Sequence, residues 1–152
     1  MKSLADPDVR ISAVERLKTV QADSPAQWGK MNAHQMICHL SDSFRLALRE
    51  RTASPATGFF QRTIVKWVAL YLPAPWPKDL PTRPEMKQGA GGTPPGGFAE
   101  DRRDLVVLME RFCRSETRFE DVRHPLFGEM SRAEWLRWGW LHADHHLRQF
   151  GA

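Results

Sequence analysis

Apolar residues in this chain recur at helical spacing, and nothing alternates with strand period for more than a few residues. Val9, Ala13, Leu17 and Val20 lie on one stripe of a helix of about four turns, with Asp6 placed as N-cap and Pro7 as its first residue. That helix stops before Ala22-Asp23-Ser24-Pro25. The next residues, Gln27-Trp28-Gly29-Lys30, read as a turn whose indole packs over the helix ends. Asn32 and Gln35 are spaced as a capping pair for a second helix, and Ala33, Met36, Ile37, Leu40, Phe44, Ala47 and Leu48 define its buried face. A third core helix follows from Phe98 to Phe112, with acids in its first turn where they suit the helix dipole. The fourth carries the clearest start signal, a Ser131/Glu134 capping box with Met130 and Trp135 at the staple positions, and runs to the chain end.

Between the second and third of these helices the pattern breaks. Phe59 to Leu72 is apolar enough for a short extra helix of about three turns. From Pro73 to Gly97, repeated prolines and glycines exclude regular structure, which leaves a long connection, either a lid or a crossover. The glycines there lack the Lys-Ser/Thr ending of a phosphate loop. Residues 114–129 read as non-helical, marked by His124-Pro125. The expected fold is all-α, a four-helix bundle with one long irregular crossover, in a single domain over residues 1–152.

Composition narrows the function classes. With 152 residues, 41% hydrophobic and 26% charged, the chain is long enough for one core and unlike a disordered segment. No apolar run approaches a bilayer span and the N-terminus lacks a signal-peptide core, so a cytoplasmic protein with no membrane partner is expected. Cys38 and Cys113 form no framework or zinc-knuckle spacing and are expected as reduced thiols. The +4 charge is interleaved with acids rather than gathered in a stripe, which argues against a nucleic-acid partner.

The candidate chemistry sits in the last helix. His142 and His146 are four apart and project from one stripe, with Trp135 and Gln149 within about 40° of it and Asp144 on the opposite side. Such a pair is either a solvated helix end or two ligands of an incomplete metal site. In the second helix His39 lies at the edge of the buried face, on the side of Ser43, whereas His34 falls in the middle of the polar side. One histidine from that helix and the pair from the last would supply three neutral imidazoles and leave a fourth position for a water or a substrate thiol. No nucleophile elbow is present, Cys38 and His39 point about 100° apart, and Glu-x-x-His is absent. Glu100, Asp101, Asp121 and Glu129 are expected in solvated roles, on no face shared with the histidines. Phe59, Phe60, Trp135, Trp138 and Trp140 are either core or pocket lining.

Three stretches also carry a likeness: Trp28 to Leu40, the His124-Pro-Leu-Phe-Gly128 turn, and His142 to Gly151. Together they resemble the DinB-like (YfiT-like) superfamily of four-helix metalloenzymes, closest to an uncharacterised bacterial branch. The resemblance implies a divalent metal on His39, His142 and His146, with His145 and Gln149 accompanying the ligands. It also implies either hydrolysis through metal-bound water or transfer to a low-molecular-weight thiol, with a small-molecule substrate and a homodimer. Zinc is the default ion, with nickel and iron as alternatives. The contrasting expectation is a metal-free helical module that binds a small ligand or serves as an oligomeric scaffold.

Overall fold

Side chains fix three helix starts. Asp6 accepts the Asp8 N–H, and Asn32 with Gln35 and Ser131 with Glu134 close two reciprocal capping boxes. The computed structural model describes residues 1–55, 58, 60–78 and 82–152. Among them run α1 (Pro7–Thr19), α2 (Ala33–Ala47), α3 (Lys66–Tyr71), α4 (Phe98–Cys113) and α5 (Arg132–Gln149). The fold is mostly helical. No helix is long and apolar enough to cross a membrane among the described residues.

Packing centres on α2, which lies against α4 and α5, while α1 and α3 both lean on α5. Every residue of α2 from Met36 to Phe44 is buried. Phe44 meets Phe112 and Trp138 edge-on at 5.0 and 6.4 Å, and Phe119 stacks on Trp135 at 5.7 Å. This aromatic layer absorbs Trp135 and Trp138 into the core. Trp140 instead lies half-buried beneath the cations of Lys2 and Arg137. Polar ties hold α1 to α5: Arg16 pairs with Asp144 at 2.7 Å and also donates to the Ala152 carbonyl.

The purely helical expectation needs correction at one point. Arg123–His124 and Gly128–Glu129 pair as a two-residue antiparallel ladder, β1 and β2, which closes the His124-to-Gly128 turn. Two residues per strand are too few to leave an alternating pattern. The apolar segment ahead of Pro73 also differs from a plain helix, since a π-helical turn, Gln61–Val65, runs into α3. Its apolar side faces outward: Phe60, Ile64, Trp67 and Tyr71 are 66, 59, 58 and 41% exposed. Phe60 therefore lies outside the core, and Phe59 lies outside the described residues.

Gly139 in α5 shows how closely the helices approach. A Cβ there would stand 2.8 Å from Phe112 Cε1 and 3.0 Å from Leu4 Cδ1, both on fully buried side chains. In an exposed helix Gly→Ala stabilises by about 1 kcal/mol, whereas overpacking a core costs about 1–3 kcal/mol. Gly139→Ala is expected to destabilise the fold by about 1–2 kcal/mol, read as a lower urea midpoint at unchanged m.

Candidate metal centre

The i, i+4 spacing on α5 stacks His142 above His146, and α2 brings His39 across from both. His142 Nε2 lies 3.2 Å from His39 Nε2 and 3.2 Å from His146 Nε2. His39 is 6% and His146 7% exposed, and His142 is half-buried. Burial, the first cause in each case, holds the basicity of His39, His142 and His146 below the ordinary imidazole value. Neighbouring imidazoles push His142 and His146 down further. All three are neutral at pH 7.

Partners on the far side of two rings fix their tautomers. His39 Nδ1 donates to the Met86 carbonyl at 3.2 Å, and His146 Nδ1 donates to Gln149 Oε1 at 2.8 Å. The Gln149 amide cannot be flipped without loss, because its Nε2 donates to the Trp28 carbonyl at 2.7 Å. Both rings therefore present a bare Nε2 lone pair to His142. His142 can carry one proton on its own Nε2, which satisfies one of these contacts and leaves the other lone pair unopposed. A cation would satisfy all three, and the spacing suits it: two nitrogens about 2.0–2.1 Å from a tetrahedral ion lie about 3.3 Å apart.

The Pro/Gly-rich connection roofs the cluster. The Trp76 ring lies 6.0 Å from His142 and 6.1 Å from His145, anchored by an indole N–H bond to the Ala69 carbonyl. Beneath this roof a buried ion network holds the 3₁₀ turn Pro84–Met86 in place. Asp42, fully buried, accepts from Arg51 at 2.9 Å and from the Thr93 N–H and hydroxyl at 2.8 and 2.6 Å. Arg51 also donates to the Glu85 and Gly91 carbonyls at 2.9 and 2.6 Å, which places Met86 over His39. Gly91 permits the close approach, as a Cβ there would stand 2.7 Å from Glu85 Cα. Backbone carbonyls and an Asp–Arg pair carry no ligand signature, and sequence reasoning missed them.

The remaining histidines separate by environment. His145 touches His146 edge-on at 5.1 Å and Trp28 at 5.6 Å, and its buried Nδ1 has no hydrogen-bond partner among the described residues. It contacts the cluster through its ring rather than through a hydrogen bond. His124 accepts the Leu126 and Phe127 N–H groups on Nδ1 at 3.2 and 3.1 Å and stacks on Phe127. Burial pushes it down to about 3. His34, placed by periodicity in the middle of the polar side, meets Asp101 of α4 at 2.7 Å. That corrects the solvated role expected for Asp101. Glu100, Asp121 and Glu129 do have exposed side chains, at 65, 84 and 77%.

Comparison with known proteins adds a family. The chain belongs to the family described as a protein of unknown function (DUF1569), whose model matches residues 3–152. No curated protein and no solved structure matches it.

Buried neutral histidines make stability depend on pH. A depressed folded-state value means that the unfolded chain binds more protons below the ordinary 6.5, so stability is complete above that pH and falls as pH drops toward the folded value. His124 alone accounts for a loss of about 2 kcal/mol between pH 6.5 and 5. With chelator present, the urea midpoint is expected to fall across this interval. His124→Asn, which keeps a side-chain acceptor for the turn, is expected to flatten the slope.

Proposed function

We propose that this chain is a metal-dependent enzyme on a DinB-like four-helix bundle, in which α1, α2, α4 and α5 form the bundle and His39, His142 and His146 hold one divalent ion. The observation that carries this reading is the convergence of three neutral imidazoles, with His142 Nε2 3.2 Å from the Nε2 of both His39 and His146, all ligand atoms within 4.8 Å of one another, and two of the tautomers fixed from behind. Zinc is the default ion, and three imidazoles also suit nickel and iron. Held by His39, His142 and His146, a dication would supply Lewis-acid chemistry, lowering the pKa of a water or stabilising a thiol as thiolate. Hydrolysis of a small molecule and transfer to a low-molecular-weight thiol are the two reactions this chemistry serves.

The protein's own residues prepare the site. Met86 and Gln149 hold two rings in the ligating tautomer. Trp76 covers the site and limits water access. His145 keeps a neutral imidazole with a free Nδ1 beside His146, able to take or give a proton.

Elemental analysis of tag-free protein is expected to find one divalent ion on these histidines, lost in His142→Ala. Gln149→Leu is expected to weaken that ion's binding by about 10–100-fold without removing it. Absence of stoichiometric metal, or full binding in His142→Ala, overturns the reading. Loaded protein is then assayed for thiol conjugation against ester and amide hydrolysis.

A second reading, the oligomeric scaffold, draws on the outward apolar stripe of the π-helical turn and α3. Phe60, Ile64, Trp67, Val68, Tyr71 and Leu72 are each at least 41% exposed. Together they present on the order of 600 Å² of apolar surface, approaching the ~800 Å² per partner of a stable interface. The occupant that fits is a second copy of this chain. Sedimentation is expected to give a dimer that Trp67→Glu converts to monomer with unchanged helicity.

A further inference from the structure

The opposite edge of α2 carries a second set of ligand-type side chains. His34 and Cys38 stand one turn apart, and Asp101 reaches both from the first turn of α4. Asp101 Oδ2 lies 2.7 Å from His34 Nε2 and 3.6 Å from Cys38 Sγ, and the three donor atoms all fall within 4.8 Å of one another. We infer that His34, Cys38 and Asp101 form a second divalent-metal site of the zinc class, separate from the three-histidine centre.

Donor chemistry and the charge balance of a loaded cluster support this assignment, although in the ion-free chain burial and Asp101 push the Cys38 thiol up to about 12. Imidazole, thiolate and carboxylate are the three side-chain types that bind zinc. Donor pairs about 2.0–2.3 Å from a tetrahedral ion stand about 3.3–3.6 Å apart, within reach of the observed separations after small side-chain shifts. One thiolate and one carboxylate balance a dication, so the loaded cluster is neutral. As the Sγ–metal bond forms, the thiol S–H breaks and its proton leaves to solvent.

The setting is also that of an accessible site. Cys38 is 2% exposed, but the His34 and Asp101 side chains are 18 and 25% exposed, which gives an ion an entry path and leaves its fourth position to water. The Gly96 N–H donates to the same Asp101 Oδ2 at 2.8 Å and fixes the carboxylate's orientation, leaving Oδ1 free to turn toward an ion. Other interior acids offer no such site: Asp42 is consumed by Arg51 and Thr93, and Asp144 by Arg16 and Arg148. Cys113 is absent from both clusters of ligand-type side chains among the described residues.

Cobalt(II) titration of the full chain, purified tag-free and stripped with chelator, tests the inference, because only a thiolate site gives a near-ultraviolet sulfur-to-cobalt charge-transfer band. Two cobalt ions per chain and such a band are expected. The band is expected to vanish in Cys38→Ser and to persist in Cys113→Ser and in the His142→Ala/His146→Ala double variant. Asp101→Asn is expected to weaken the band-forming ion by about tenfold or more. Circular dichroism verifies that each variant is folded. One cobalt without a band in the native chain, or a band surviving Cys38→Ser, overturns the second site and leaves the three-histidine centre standing. A band with one cobalt, unchanged in the double histidine variant, supports this site and removes the other.

Discussion

Three uncharged imidazoles, two buried and one half-buried, set the terms for the rest of the structure. A buried ring nitrogen without a partner costs on the order of 1–3 kcal/mol, so each Nδ1–H needs an acceptor and each Nε2 needs something to face. The acceptors come from places far apart in sequence: the Met86 carbonyl from the proline-rich connection and the Gln149 side chain from α5. Satisfying two histidines therefore ties α2, the connection and the last helix to one another. Gln149 extends the tie to the turn before α2, since its side-chain amide donates to the Trp28 carbonyl and its backbone carbonyl accepts the Gln27 N–H at 2.7 Å.

That demand explains why α5 is used on every side. His142 and His146 face α2, Trp135 and Trp138 enter the aromatic core, and Asp144 with Arg148 turns toward α1, where Arg16 closes the pair. Arg137 adds a fourth direction through the Lys2 and Leu70 carbonyls. A helix committed on all sides cannot rotate without breaking a buried polar contact. The relative placement of His142 and His146 against His39 is held by packing and hydrogen bonds together.

Much of this was legible in the residues, for identifiable reasons. N-cap chemistry is local, so Asp6, Asn32 and Ser131 mark helix starts without any knowledge of the fold. The stripe of His142 and His146 follows from helical period alone, and the edge position of His39 from the mean direction of its apolar face. What stayed hidden was non-local. The Met86 carbonyl has no sequence signature, Trp76 stands in a segment with no period, and two-residue strands leave no alternation. Asp101 was assigned to solvent because a helical wheel compares residues within one helix. Its meeting with His34 depends on the axial register between α2 and α4, which no single-helix pattern contains.

The position of α2 between α4 and α5 gives that last point a general form. A polar side on a helical wheel means solvent only when that side has no neighbour. In α2 the polar run Ser41, Asp42 and Ser43 is buried along with the apolar face, because helices or the connection cover both edges. Most polar residues inside such a helix find partners in discrete groups, His39 with the α5 histidines, Asp42 with Arg51 and Thr93, His34 and Cys38 with Asp101, while the Ser41 hydroxyl has none among the described residues. Cys38 and His39 are adjacent, so helical geometry turns their side chains about 100° apart and directs them to different groups. One rigid helix thus places two sets of ligand-type side chains on separate sides, and a shift of α2 along its axis would disturb both at once.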